Sequence, residues 1–142
     1  MKLVIGGGAR CGKTTLADHL ARCNGLPVYH ADDLLSLGWR EASDAFADVI
    51  AFGRDGIYEG VAATRALRKL LARSRARPCT MYVHLNEPFV GLTDQQRTMN
   101  IGAETVFRTM IRPLHRRGVT LTSQAEGWIL TSLACKGTPI RF

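Results

Sequence analysis

Apolar and polar residues along the chain fall into two alternating kinds of stretch. Lys2-Leu3-Val4-Ile5 is short, apolar and β-branched, the pattern of a buried strand. Residues 15–22 follow a helical period, with Leu16 and Leu20 on one face beside Ala17 and Ala21. Asn24-Gly25, with Pro27 just beyond, is a helix stop. Residues 26–31 then read as a second strand running into Asp32-Asp33. Ser43 is placed to cap a helix over 44–52 that buries Phe46, Val49 and Ile50 and ends at Gly53. Trp39 falls in the connection before it and reads first as a cover over the core, with a stacking role as the alternative. Residues 57–61 form a third strand and turn. A helix over 62–75 follows, with Leu67, Leu70, Leu71 and Ser74 on its buried side.

Pro78 precedes a fourth strand over 80–85, in which His84 reads as a packed histidine. Thr93 and Gln96 make a capping box for a helix that Gly102 is expected to break or hinge before a second helix over about 103–117. Gly118 ends that helix, and residues 119–122 are a short fifth strand. Ser123 and Glu126 open a last helix, with Trp128, Ile129 and Leu133 facing inward. Five strands alternating with helices predict an α/β fold, a parallel sheet with helices on both faces.

At 142 residues and 46% hydrophobic composition, the chain is expected to be a single domain over 1–142. No apolar run approaches the length of a membrane span and no secretory signal is evident, so a cytoplasmic protein without membrane association is expected. The cysteines at 11, 23, 79 and 135 form no C-x-x-C pair, which suits free thiols in a reducing compartment. Net charge is +7, unevenly spread. Residues 1–59 carry six basic and eight acidic side chains, residues 60–142 thirteen and four. Such a basic second half suits phosphate-bearing partners, nucleotides first and nucleic acid as a further possibility.

The chemistry concentrates in Gly7-Gly8-Ala9-Arg10-Cys11-Gly12-Lys13-Thr14, which satisfies G-x-x-x-x-G-K-[ST] between a strand and a helix. Glycines let the backbone curl with N–H groups pointing inward, an anion site ending at a positive helix terminus. Lys13 is placed to reach β- and γ-phosphates and the Thr14 hydroxyl to hold Mg²⁺, with Thr15 next in the loop. Cys11 in this loop is either a small space-filler or, with dipoles and Lys13 nearby, an activated thiol. Asp32 and Asp33 stand at the carboxyl end of a parallel strand, where an acid can orient an acceptor hydroxyl or take its proton. Asp32 is assigned to the site and Asp33 to capping the following helix, although either can be the base. Glu59 ends the third strand where a magnesium-supporting acid belongs, and Arg65 can point into the same crevice. Arg97, Arg108 and Arg112 are candidates to close over phosphates as charge develops.

Gly7 to Thr15, the run from Leu26 through Asp32-Asp33-Leu34, Gly38-Trp39 and Tyr58-Glu59-Gly60-Val61 together resemble the small P-loop kinases of the adenylate/nucleoside kinase class. The likeness extends to short bacterial topology-modulation and adenylate-kinase-related kinases. It implies a three-layer P-loop NTPase fold, ATP and Mg²⁺ as cofactors, and a strand-two aspartate, Asp32, that binds or activates the acceptor. It also implies lid arginines and an adenine-side loop near Ser123. A short lid over about 92–103 and no full nucleoside-monophosphate insertion set the chain apart from a strict adenylate kinase. The expected activity is transfer of the ATP γ-phosphate to a hydroxyl on a nucleoside, nucleotide or nucleic-acid-linked group. The basic second half tilts this toward DNA modification, at a modified base or a 5′ end. A nucleotide-gated switch that hydrolyses ATP without an acceptor, or a loop kept for interaction alone, are the alternatives.

Overall fold

Leu3, Val4 and Ile5 are apolar in succession because the strand that carries them is central and covered on both faces. The computed structural model describes residues 1–122. Its strands are β1 (Lys2–Gly7), β2 (Val28–His30), β3 (Gly56–Glu59), β4 (Met81–Leu85) and β5 (Thr120–Thr122). Its helices are α1 (Lys13–Asn24), a 3-10 helix (Ala31–Leu37), α2 (Trp39–Phe52), α3 (Val61–Arg73) and α4 (Asp94–Arg116). The strands form one sheet in the order β2-β3-β1-β4-β5, every neighbouring pair parallel. The α/β architecture expected from the sequence is therefore present, with a core on each face. Leu3 and Ile5 point to one side and pack with Leu16 and Leu20 of α1, Ile57, Val83 and Leu85. Val4 points to the other, with Tyr58, Tyr82, Phe46 of α2, Leu67 of α3 and Met110 and Leu114 of α4.

Several local expectations are corrected. Ser43 is not a cap, because α2 begins earlier at Trp39, after Gly38 turns the chain with φ 93°. Ser43 is instead buried in the helix, donating to the Arg40 carbonyl and accepting from Lys69 Nζ at 2.6 Å. Asp33 does not cap either: the 3-10 helix starts at Ala31, putting both aspartates in its first turn with no side-chain cap bond. Trp39 is 39% exposed and lies at a cleft rather than over the core.

Gly102 does not break the helix. Asn100, Ala103, Val106, Met110 and Leu114 form one buried seam along α4, and tertiary burial overrides the local cost of a glycine, about 1 kcal/mol. The Thr93–Gln96 capping box is formed in both directions. The stretch 92–103, expected as a short lid, is thus the cap and first turns of α4. The helix expected after Ser123, and Ser123 itself, lie outside the described residues.

Candidate functional site

The sheet order sets the site. β1 delivers the glycine loop at the carboxyl edge, β3 beside it delivers Glu59, and β2 beyond that delivers His30 and the 3-10 helix with Asp32. The loop leaves β1 with Gly7 at φ 131°, where a Cβ would stand 1.7 Å from the Leu85 carbonyl oxygen, so a side chain is excluded on both counts. Arg10 (φ 58°) and Gly12 (φ 77°) both adopt the left-handed region, which curls the backbone into a concave nest.

The hydrogen bonds of this loop fall into two groups. The N–H groups of Gly7, Gly8 and Ala9 are held by the protein: by Thr64 Oγ1 at 3.0 Å, the Leu85 carbonyl at 2.9 Å and Asn100 Oδ1 at 2.6 Å. The N–H groups of residues 10–15 have no acceptor among the described residues, and the first bond into α1 runs from Leu16 N–H to the Gly12 carbonyl. A continuous run of donors therefore opens at the start of a helix, where the dipole adds positive potential.

Lys13 is only 7% exposed and folds its ammonium back onto the Gly8 carbonyl. Burial pushes its pKa below the ordinary lysine value, opposed by Cys11, Glu59 and Asp32. Thr14 Oγ1 donates to Glu59 Oε1 at 3.3 Å, and His30 Nδ1 lies 2.5 Å from the same oxygen. His30 and Glu59 are register partners on adjacent strands, and this bond raises the His30 pKa. Asp32 enters the cleft beside Gly60, where a Cβ would stand 3.3 Å from its Oδ1.

These groups border one open cleft of about 430 Å³. Ala9 to Thr15 form one wall, Asp32 and Glu59 lie at the strand ends, and Leu35, Trp39, Val61 and Met99 form the apolar side. A small recess adjoins it, sharing Trp39, Val61 and Met99 and adding Thr64, Arg65 and Ala103. Arg65 is half-buried there against Gly102, and no hydrogen bond or ion pair engages its guanidinium among the described residues. Of the acids weighed from sequence, Asp32 and Glu59 converge on the cleft, whereas Asp33 is exposed and lies off its lining.

The arginines of α4 are not brought to this cleft. Arg97 is bound to Asp94 and to the Leu92 carbonyl, Arg108 reaches Glu104 at 3.4 Å, and Arg112 is exposed. Cys11 is fully buried and its thiol donates to the Ala9 carbonyl. Burial raises its pKa more than Lys13 lowers it, so it is the space-filler of the two readings. Sequence reasoning missed Asn100, Met99 and Phe89. The N–H of Phe89 donates to the Arg10 carbonyl and its ring covers Gly12. Asn100 carried a legible signal: it is a polar residue in register with the apolar seam of its helix.

The oxygen donors present suit Mg²⁺. Among the described residues no group of three or more His, Cys, Asp or Glu is arranged to hold a metal, but a magnesium ion needs no protein cage. One hydroxyl, one carboxylate and phosphate oxygens suffice, and Thr14 with Glu59 could supply the first two.

Beneath the loop runs a buried polar relay. Thr64, Tyr82 and His84 are each at most 6% exposed, linked by Thr64 Oγ1 to Tyr82 Oη at 2.9 Å and Tyr82 Oη to His84 Nδ1 at 3.1 Å. His84 Nε2 lies 2.9 Å from Glu104 Oε2. A carboxylate accepts, so Nε2 carries the proton and neutral Nδ1 accepts from Tyr82, whose oxygen then accepts from Thr64. Burial lowers the His84 pKa, in keeping with that neutral tautomer.

No protein-family model matches the chain, and no curated protein matches it in sequence. Solved structures do. A shikimate kinase from Acinetobacter baumannii in complex with shikimate superposes with a TM-score of 0.57 at 14% identity, covering 96% of this chain and 94% of that one. An unliganded sugar kinase from a Janibacter species gives 0.53 at 15% identity, with 97% and 95% covered. The chain shares the fold of P-loop kinases.

Proposed function

We propose that the protein is a P-loop kinase that transfers the γ-phosphate of ATP to a hydroxyl of a small molecule held in the cleft. The observation that carries this is the row of N–H groups from residue 10 to residue 15, open to the cleft beside the buried Lys13 ammonium. Donors left without a protein acceptor at the start of a helix form an anion site, and a polyphosphate supplies the negative charge it suits.

In this reading the loop amides grip the phosphates, and Lys13 leaves the Gly8 carbonyl for the transferred group. Thr14 and Glu59 hold Mg²⁺, which when bound neutralises charge on the phosphate oxygens. Asp32 orients the acceptor hydroxyl and takes its proton as the new bond forms. Leu35, Trp39, Val61 and Met99 cover the acceptor's body, and Arg65 is available for an anionic group on it. Most of the catalytic effect is positioning and charge stabilisation. Arg97, Arg108 and Arg112 act here only if α4 shifts on binding. The two kinase-fold neighbours support a small-molecule acceptor in preference to a nucleic-acid-linked hydroxyl.

The test is turnover of γ-labelled ATP with Mg²⁺ against a panel of hydroxy acids, sugars, nucleosides and an oligonucleotide. Label transferred to a small acceptor is expected. Transfer to the oligonucleotide alone would revive the nucleic-acid reading, and hydrolysis without transfer would make the protein a nucleotide switch.

A further inference from the structure

We propose that Asn100 of α4 is a positioning residue for the phosphate loop, setting the direction of its open amides from a helix outside the loop's own strand and helix. Asn100 is 7% exposed and meets the loop at two atoms of one residue. Its Oδ1 accepts from Ala9 N–H at 2.6 Å and its Nδ2 donates to the Ala9 carbonyl at 3.4 Å. A side-chain amide here pairs with a backbone residue as a neighbouring strand would, fixing the peptide planes on both sides of Ala9.

Those planes lie at the boundary between the two groups of loop amides. The N–H groups of Gly7, Gly8 and Ala9 are taken by protein acceptors, and those from Arg10 to Thr15, in residues that line the cleft, have none among the described residues. Arg10 takes the left-handed conformation, which a non-glycine residue adopts only at a cost of about 1 kcal/mol or more. Phe89 N–H holds the Arg10 carbonyl at 3.1 Å and the Cys11 thiol reaches the Ala9 carbonyl at 3.2 Å, while Asn100 alone among the described residues accepts from Ala9 N–H. Without Asn100 that N–H would be free to turn, loosening the peptide that leads into the left-handed Arg10 and the amides after it.

The same contact explains a glycine that phosphate binding does not. Gly8 has no positive φ, so alanine is conformationally permitted there. A Cβ at Gly8 would nevertheless stand 2.4–2.6 Å from Cγ, Oδ1 and Nδ2 of Asn100, the three nearest atoms. Gly8 is thus glycine because Asn100 occupies the space, and the two positions are coupled. An alanine at 100 lacks all three atoms, so it should make an alanine at 8 harmless.

The inference rests on the phosphate-binding reading for its functional consequence, but its geometry can be tested apart from that. Amide hydrogen exchange of the free wild-type protein should show Ala9 N–H protected, and Asn100→Ala should speed its exchange by about a hundredfold with the protection of β1 retained. Titration calorimetry with Mg·ADP should show about a tenfold weaker Kd in Asn100→Ala, as expected for loss of one such contact. Gly8→Ala should weaken binding in the wild type and change it less than twofold in the Asn100→Ala background, a non-additivity that reads the contact between the two positions, while faster Ala9 exchange with β1 still protected is what a merely stabilising residue would not give. Rapid exchange at Ala9 in the wild type, or additive effects of the two substitutions, overturns the proposal. If the wild type binds no Mg·ADP at all, the kinase reading falls, and Ala9 exchange still decides whether Asn100 holds the loop. If Asn100→Ala fails to fold, the wild-type exchange measurement alone stands as the test.

Discussion

Replacing Tyr82 by phenylalanine removes one oxygen from the centre of the buried relay and leaves its shape nearly unchanged. Tyr82 is fully buried, and its hydroxyl donates to His84 Nδ1 while accepting from Thr64 Oγ1. The substitution therefore orphans an acceptor on His84 and a donor on Thr64, neither within reach of solvent. Each orphaned buried group costs about 1–3 kcal/mol, offset in part because the tyrosine hydroxyl no longer has to be desolvated, so a net loss of about 2–4 kcal/mol is expected. With a urea m-value of about 2 kcal/mol/M for a domain of this size, the unfolding midpoint should fall by about 1–2 M. The effect reaches the site, because the Thr64 hydroxyl also accepts from Gly7 N–H at the root of the phosphate loop. The relay also fills the space over Gly6, where a Cβ would stand 2.3 Å from Thr64 Oγ1 and 2.5 Å from Tyr82 Oη. Urea unfolding followed by circular dichroism reads the loss directly. A Tyr82→Phe protein within about 0.5 kcal/mol of wild type, the range of an ordinary surface change, would refute the relay and the tautomer assigned to His84.

Lys13→Ala should keep the fold and lower nucleotide-dependent turnover by about a hundredfold or more, measured as kcat/KM for ATP beside a thermal melt. Asp32→Asn should spare Mg·ATP binding by calorimetry yet lower transfer to the acceptor by about 10²–10⁴-fold, and full transfer would mean another group is the base. His30 is raised by Glu59, so its contribution to stability is complete below about pH 6.5 and is lost as pH rises through the raised folded value. The stability difference between wild type and His30→Asn should shrink over that interval. His84 is lowered by burial, so its contribution has the opposite sign: stability falls as pH drops below about 6.5 toward the folded value. NMR titration of the two imidazoles should bracket 6.5 from either side.

What was legible in the sequence is what local chemistry determines. The apolar runs of β1 and β4, the stop at Asn24-Gly25 and the capping box at Thr93 each carry their own cause within a few residues, and each is present. The glycine loop was legible for the same reason. Positions decided by a partner distant in sequence were not. Ser43 looks like a cap until Lys69 from the next helix claims its hydroxyl, and Gly102 looks like a breaker until the buried seam of α4 carries the helix through it. Asn100 stands out as a polar residue on the apolar seam of its helix, but its partner Ala9 lies ninety-one positions away and no local pattern joins the two. Trp39 was misplaced because an aromatic beside a glycine gives no hint whether its ring meets core or cleft.

The charge surplus of the second half does not by itself mark a binding surface. A polyanion binds where cations are unpaired and aligned, not where they are numerous. On α3, Lys69 and Arg73 converge on Asp44, and Arg73 also reaches Asp48, so the acidic residues of α2 compensate part of that surplus across the helix pair. On α4, Arg97 and Arg108 are paired within their own helix. Arg65 is different in kind: it is half-buried, unpaired among the described residues and one recess away from Asp32. A guanidinium placed that way is available to a single anionic group entering the recess beside the cleft. In the proposed kinase reading, this charge rather than the total bears on recognition, and it would favour an acceptor that carries a small acid or phosphate.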